Sequence, residues 1–212
     1  MTRILIIGGH GKVALLTERL LADRGDEVDA VIRNPEHAEA VRAAGANAVL
    51  ADIEQLDVDG LAELIAGHDA VVWSAGAGGG NPERTYAVDR DAAIRSMRAA
   101  EQVGVRRYVM VSYFGSPDRV EPDTSPFRHY AAAKAAADRE LAGSELAWTI
   151  LGPSTLENGP GTGLIDTAAG QSGTVDRADV AAVIAETLAQ PATIGRTIRF
   201  NRGSTPIAEA LA

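Results

Sequence analysis

Short apolar runs alternate along this chain with longer segments in which apolar positions recur at helical spacing. The first run, residues 4–7, is continuous and mostly β-branched, which is typical of a strand buried on both faces. A glycine-rich turn follows at residues 8–11. The next apolar positions have the spacing of an amphipathic helix: Val13, Leu15, Leu16 and Leu20. The pattern therefore predicts a strand, a glycine turn and a helix.

The same alternation continues to the end of the chain. Later helices are predicted at about residues 35–44, 61–66, 84–103, 128–142 and 178–189. The first four of these helices each run into a glycine, which readily adopts the left-handed conformation that ends helices, and the last runs into Pro191 and Gly195. Strands are expected at about 28–32, 49–50, 70–73, 108–111, 147–151 and 197–200. Six returns from helix to strand predict an α/β fold, a Rossmann-like, doubly wound, mainly parallel sheet flanked by helices on both faces.

No linker, low-complexity segment or repeat divides the chain, so we predict a single domain over residues 1–212. Ligands bind such sheets at the carboxyl ends of the strands. Two segments rich in proline, glycine and polar residues, 113–127 and 154–174, are predicted to form substrate loops.

Composition narrows the function classes. The chain has 46% hydrophobic and 23% charged residues, which is typical of a globular protein, and it has no cysteine, so thiolate metal sites are excluded and no metal is expected. No leader-like or membrane-length apolar run occurs, which favours a cytoplasmic protein without membrane contact. A net charge of −9 argues against nucleic acid as a partner. We expect a small-molecule substrate and a monomer or homodimer.

The turn after the first strand has the spacing Gly8-x-x-Gly11-x-x-Ala14. The first N–H groups of a helix and the positive end of its dipole form a phosphate site, and glycines allow the pyrophosphate to approach. The turn departs from the commoner G-x-G-x-x-G pattern, and glycine turns that bind nothing are also common. The predicted cofactor contacts here are Gly8, His10, Gly11, Lys12 and Val13.

The ends of the second and third strands carry further candidates. Arg33 stands where an NAD-preferring site would have an acidic residue, and a guanidinium suits the 2′-phosphate of NADP. The alternative is a solvent-facing arginine at a helix start. Asp52 and Ile53 could bind and cover an adenine, or Asp52 could cap the next helix.

The fourth strand ends in small residues, Ser74, Ala75 and Gly76, which would let the backbone approach a bound ribose. The glycines at 78–80 extend this segment, either for the same purpose or as a flexible loop.

A candidate catalytic set follows the fifth strand. Ser112 ends that strand, and Tyr130 and Lys134 lie four residues apart, which places them on one helix face. Lysine is rare in this chain. Of the 20 basic residues, 18 are arginines, and the two lysines are Lys12 and Lys134. We expect Lys134 to lower the pKa of Tyr130, and Ser112 to hold a substrate carbonyl while Tyr130 transfers a proton. A chance Y-x-x-x-K is the alternative.

These motifs together resemble the short-chain dehydrogenase/reductase superfamily, and most closely its small atypical NAD(P)H-binding members, labelled sugar-epimerase-like or NmrA-like. The resemblance spans IIGGHGKVA, VIRNPEH, WSAGAGGG, HYAAAKAAADREL, LAWTILGP and VDRADVAAVI. It implies bound NADP and a catalytic Ser112, Tyr130 and Lys134. Lys134 would also bind the nicotinamide ribose, and Pro153 would line the nicotinamide side. Relatives often have an arginine where this chain has Gly152, so no arginine role is carried over there.

The sequence thus predicts an NADP(H)-preferring oxidoreductase that reduces a small carbonyl, quinone or flavin-like substrate by hydride transfer, with Tyr130 as the proton donor. One alternative is an NADP-binding redox sensor with little catalysis. Another is a sugar-epimerase-like enzyme, although the chain has no charged clamp for a sugar nucleotide and no larger substrate lobe. The substrate itself is not specified by these patterns.

Overall fold

The computed structural model describes residues 1–78 and 81–212. Its strands are β1 Arg3–Ile7, β2 Glu27–Ile32, β3 Asn47–Leu50, β4 Ala70–Trp73, β5 Arg107–Val111, β6 Ala147–Pro153, β7 Thr155–Glu157, β8 Leu164–Asp166, β9 Thr174–Asp176, β10 Arg196–Arg202 and β11 Thr205–Pro206. Two of the glycines predicted to approach a ribose, Gly79 and Gly80, lie outside the described residues.

Helices connect these strands. They are α1 Lys12–Asp23, α2 Ala38–Ala43, α3 Val58–Ile65, α4 Pro82–Thr85, α5 Ala93–Gln102, α6 Arg128–Ala142, α7 Arg177–Ala189 and α8 Ile207–Ala210. A π-helical segment, Tyr86–Ala92, joins α4 and α5 into one long helix. No helix of the described segments is long and apolar enough to cross a membrane.

The main sheet confirms the predicted fold class. Its strand order is β11-β8-β10-β6-β5-β4-β1-β2-β3, and the seven strands from β10 to β3 are parallel. β8 pairs antiparallel with β10 and β11. β1 lies between β2 and β4, so the chain leaves β1 in one direction and later returns on its other side. This reversal opens a crevice at the carboxyl ends of β1 and β4.

Both faces of the sheet are covered, as the apolar run of β1 predicts. Ile4 and Ile6 belong to one core, which they share with α1 and α7. Leu5 and Ile7 belong to a second core, which they share with α3, α5 and α6. Successive side chains of a strand point to opposite faces, so a strand between two cores must be apolar at every position.

The helix ends follow the predicted glycines with one difference. Gly25, Gly45, Gly67 and Gly104 have φ angles of 88°, 91°, 79° and 74°, the left-handed conformation expected after a helix. Gly143 ends α6 with φ of −88°, so this end does not use the left-handed conformation. The short strands β7, β8, β9 and β11 were not predicted, because two or three residues carry too little periodicity.

Glu18, in α1, is a buried acid without a partner. Its side chain is fully buried, and both carboxylate oxygens lack a hydrogen bond among the described residues. One oxygen lies near the turn, since a Cβ on Gly9 would stand 3.2 Å from Oε1. Burial raises the pKa of Glu18 to about 8, because the interior does not solvate the charged form.

We expect this group to make the protein less stable as the pH rises. The folded pKa lies above the ordinary value of 4.5, so the stabilisation is fully present below pH 4.5 and is lost by about pH 8. Glu18→Gln cannot ionise, and its unfolding free energy relative to wild type should increase by roughly 3 kcal/mol between pH 5 and pH 8. Urea unfolding of both proteins measures this, and a difference that does not change with pH would contradict it.

Candidate active site

The glycine turn is fixed by backbone contacts. Gly8 has φ of 97°, and a Cβ on it would stand 2.6 Å from the Cα of Ala75, so both its conformation and its surroundings require glycine. The N–H groups of Gly8 and Gly9 donate to the carbonyl of Val31 at 3.2 and 2.9 Å. The turn is thereby tied to the ends of β2 and β4.

Helix α1 begins directly after this turn without a capping side chain. Its N-cap residue, Gly11, has no side chain that could cap the helix, and no acidic residue occupies the first turn. The side chain of Lys12 is exposed and that of Val13 is buried in the core. These two predicted residues can therefore contribute backbone N–H groups, which suit an anion.

A cavity of about 360 Å³ lies at this turn. Its lining includes eight of the predicted cofactor residues: Gly8, His10, Gly11, Arg33, Asp52, Ile53, Ala75 and Gly76. Lys12 and Val13 are not among the described residues that line it. The sequence therefore predicted most of the cofactor residues that line this cavity. This was possible because the ends of adjacent parallel strands meet at the same edge of the sheet.

Two arginines bind one carboxylate in this cavity. Nη1 of Arg33 donates to Oε1 of Glu54 at 2.6 Å, and Nε of Arg84 donates to the same oxygen at 3.0 Å. Arg84 also donates through Nη1 to the carbonyl of Ala77 at 2.8 Å. Arg33 thus pairs with a carboxylate while its side chain stays 53% exposed, and neither Glu54 nor Arg84 was predicted at this place.

Asp52 holds the backbone of this loop. Its Oδ1 accepts the N–H of Glu54 at 3.1 Å. Helix α3 is capped instead by Asp57, whose Oδ1 accepts the N–H of Gly60 at 2.9 Å. The alternative role of Asp52 as the N-cap of this helix is therefore wrong.

Two histidines stack beside the turn. The rings of His10 and His37 lie 3.5 Å apart with an interplanar angle of 11°, and both residues line the cavity. Partial burial and the nearby His37 lower the pKa of His10, so its neutral form is favoured. The stack provides a flat, polar edge to the cavity.

A second cavity, of about 500 Å³, contains the candidate catalytic residues. Ser112, Tyr130 and Pro153 line it together. Both predicted substrate loops contribute to its lining, among others through Tyr113, Phe127, Leu156 and Ser172. The structure therefore brings together the serine at the end of β5 and the tyrosine of α6.

Three aromatic rings form one wall of this second cavity. Phe127 lies 5.1 Å from Tyr113 and 4.9 Å from Tyr130 between ring centroids, and the two tyrosine rings are 5.8 Å apart. Arg119, also in the lining, has its charge paired with Glu121 at 2.7 Å. This wall suits a flat, apolar group better than a highly charged one.

Ser112 donates its proton to a buried acid that the sequence analysis missed. Its Oγ donates to Oδ2 of Asp138, and Oγ of Ser116 donates to the same oxygen. Asp138 is fully buried in α6, one further helical turn beyond Lys134. A hydroxyl has one proton, so in this arrangement Ser112 cannot donate to a substrate carbonyl, and the predicted role of Ser112 in holding that carbonyl is contradicted.

Lys134 is held in place by two contacts of its ammonium group. Its Nζ donates to the carbonyl of Val111 at 2.9 Å and contacts Sδ of Met110 at 3.2 Å. Burial lowers the pKa of Lys134, and the negative charges of Asp138 and Asp89 oppose that shift. Lys134 is thus held beneath the end of β5 and lies outside the described linings of the two cavities.

The prediction that Lys134 lowers the pKa of Tyr130 is wrong in direction. Burial raises this pKa, and the negative charges of Asp89 and Asp138 and the nearby Tyr113 raise it further. The positive charge of Lys134 does not offset these effects. Tyr130 is therefore held as a phenol, a group that can donate a proton.

Asp89 lies between the two cavities. Its Oδ2 accepts the N–H of Ala77 at 3.0 Å, and its Oδ1 is buried without a partner among the described residues. A Cβ on Gly76, in the first cavity, would stand 3.2 Å from that Oδ1. The same carboxylate acts on Tyr130, in the second cavity. Asp89 belongs to the π-helical segment, a feature often found at functional sites.

The family model for NAD(P)H-binding proteins matches residues 8–191. The chain belongs to this family. An uncharacterized sugar epimerase of Bacillus subtilis (strain 168), YhfK, is 35% identical to this NAD(P)H-binding protein over 212 residues, which cover 99% of this chain and 98% of the relative. The expected resemblance to the small NAD(P)H-binding dehydrogenase/reductases is thereby confirmed.

Solved structures agree with this membership. The oxidoreductase ylbE from Lactococcus lactis has a TM-score of 0.88 to this NAD(P)H-binding protein at 29% identity, over 99% of this chain and 94% of that one. ChuY, an anaerobillin reductase from Escherichia coli O157:H7, has a TM-score of 0.80 at 26% identity, over 95% and 97%.

The two buried carboxylates predict a specific change in the titration of Tyr130. Asp138→Asn keeps the shape of the side chain and removes one of the charges that raise the pKa of Tyr130, so this pKa should fall. The alkaline absorbance change of the phenol should then occur at lower pH than in wild type. Tyr130→Phe in each background assigns the step to this residue.

Ser116→Ala provides a control, because it removes a hydrogen bond to Asp138 and leaves the carboxylate in place. Its tyrosine titration should remain closer to that of wild type. Superimposable titrations of wild type and Asp138→Asn would show that Asp138 does not act on Tyr130.

Proposed function

We propose that this protein is an NADP-dependent oxidoreductase that reduces a small carbonyl, quinone or flavin-like substrate, with Tyr130 as the proton donor. The observation that carries the proposal is the position of Tyr130. It lies as a stable phenol in an aromatic cavity, and one buried carboxylate, Asp89, links it to the glycine-walled cavity. The reductase ChuY, a relative at 26% identity, supports the same reaction class.

The residues present fit a nicotinamide dinucleotide. Gly8, Gly11 and Gly76 line the first cavity, and the start of α1, which has no capping side chain, suits a pyrophosphate. Arg33 and Arg84 supply positive charge near the predicted ribose end. Lys134 and Pro153 would lie toward the nicotinamide. When bound, NADP(H) would supply the hydride.

The chain itself would supply orientation and a proton. Tyr130 gives its hydroxyl proton to the oxygen that becomes negatively charged. Its raised pKa means that it is fully protonated at neutral pH, but it is a weaker acid than a group whose pKa lies near the working pH. Burial, together with the charges of Asp89 and Asp138, raises the pKa of this phenol, and Asp138 also fixes Ser112. Ser112 is thereby held at the cavity wall with its proton directed at Asp138, so it shapes the wall and donates no hydrogen bond to the substrate oxygen.

The aromatic wall favours flat, conjugated substrates. The rings of Tyr113, Phe127 and Tyr130 offer stacking and edge contacts to such groups. The positive charge of Arg119 is paired with Glu121, so it is poorly suited to a sugar diphosphate. Both features support a quinone or flavin-like substrate over a sugar nucleotide, and therefore a reductase over an epimerase.

A redox sensor is the second candidate, and one observation favours it. Lys134 is bound to Val111 and Met110 and is counterbalanced by two carboxylates, so it does not activate Tyr130 in the expected way. A protein with this arrangement could bind NADP(H) and respond through its loops with little turnover.

Tyr130→Phe separates the two candidates. We expect NADPH oxidation with menadione or FMN as the acceptor to fall by about 10²–10⁴-fold, because the proton donor is lost. Binding of NADPH, followed by the change in its fluorescence, should remain within about twofold, because the phenol is outside the described lining of the cofactor cavity.

Tyr86→Phe is a matched control, since it removes a phenolic hydroxyl that bonds His129 at 3.3 Å outside the described linings of both cavities. Its turnover should equal that of wild type. Full turnover in Tyr130→Phe would refute the proton-donor role, and binding without turnover in wild type would favour the sensor.

A further inference from the structure

Glu54 lies between two arginines at a place that suits a phosphate. Its Oε1 accepts from Arg33 at 2.6 Å and from Arg84 at 3.0 Å. The side chain of Glu54 is 18% exposed, against 53% for Arg33 and 36% for Arg84, so the carboxylate is the innermost of the three groups. The two guanidinium groups come from different elements and meet at one anion.

The charges of this trio do not balance. Two guanidinium groups carry two positive charges, and Glu54 supplies one negative charge through one shared oxygen. A phosphate monoester carries close to two negative charges near pH 7 and offers three terminal oxygens, so it can bind both guanidinium groups more completely. A ribose hydroxyl carries no charge and cannot compete with the carboxylate.

The side chain of Glu54 is free to leave without unfolding the loop. Its backbone N–H is held by Asp52 at 3.1 Å, whereas the described hydrogen bonds of its carboxylate go to the two arginines. Rotation of the side chain would therefore break those two contacts and leave the backbone in place. Arg84 would remain positioned through its bond to the carbonyl of Ala77.

We propose that Glu54 is a specificity-determining residue that occupies the 2′-phosphate position in the free protein, and that Arg84 joins Arg33 as the second cation of that position. NADP(H) then binds by displacing Glu54 from both arginines, whereas NAD(H) binds with the trio intact. This assignment rests on the proposed function, since it assumes that the cavity takes a nicotinamide dinucleotide. Glu54 thus weakens the binding of NADP(H) and makes the preference of the protein for NADP(H) over NAD(H) smaller.

Calorimetric titration with two fragments tests this assignment without any turnover. Adenosine 2′,5′-bisphosphate carries the 2′-phosphate, and 5′-AMP lacks it. Glu54→Gln should bind the bisphosphate about tenfold more tightly than wild type, and its affinity for 5′-AMP should change by less than about twofold. Arg84→Gln should weaken bisphosphate binding by about tenfold and leave 5′-AMP nearly unchanged.

Glu63→Gln is the matched control, because it makes the same change at an exposed position of α3. An equal gain in bisphosphate affinity in this variant would show that the gain comes from the change in net charge alone, and it would overturn the assignment. An unchanged or lower ratio of the two affinities in Glu54→Gln would also overturn it. If wild type binds neither fragment nor NADPH nor NADH, the cofactor assignment itself fails, which is a different result from binding with an unchanged ratio.

Discussion

The site depends on the close approach of two backbones, at Gly8 and Ala75. No side chain can stand between them, because a Cβ on Gly8 would lie 2.6 Å from the Cα of Ala75. The same turn is held to β2 through the carbonyl of Val31. The ends of three parallel strands are thus fixed relative to the start of α1. The arginines, the histidine stack and the glycine wall are arranged around that fixed point.

A second constraint is the burial of charge beneath α6. Lys134 and Asp138 are both nearly or fully buried, and Asp89 approaches them from the π-helical segment. Burial of charged groups is costly unless they have partners, so such clusters are kept mainly where they serve a purpose. Here burial and the two carboxylates raise the pKa of Tyr130, and Asp138 accepts the hydrogen bond of Ser112. These effects outweigh the effect expected of Lys134, so Tyr130 remains a phenol.

The fold was predictable because its determinants are local. The apolar run of residues 4–7, the helical periodicities and the glycines after the helices each act over a few residues. The wall of the first cavity was predictable for the same reason, since strand ends in a parallel sheet are neighbours. Glu54 and Arg84 could not be found in this way, because only the folded chain brings the start of the long helix to the loop after β3.

Asp138 is a different case, because the spacing of residues in the sequence indicates its position on the helix face of Tyr130 and Lys134. The spacing of four residues that places Tyr130 and Lys134 on one helix face reaches Asp138 after one more turn. Its partnership with Ser112 and Ser116, however, depends on how α6 packs against β5 and the loop that follows. The short strand β7, which borders the second cavity, and its partner β9 likewise gain their pairing from tertiary contacts.

The most direct test of the whole account is calorimetric titration of the purified protein with NADPH and, separately, with NADH. Saturable binding of one molecule per chain, tighter for NADPH, is the result that the glycine turn and the arginine pair predict. Equal affinity for the two cofactors would contradict the assignment of Arg33 to the 2′-phosphate. No binding of either would contradict the central claim that this cavity holds a nicotinamide dinucleotide.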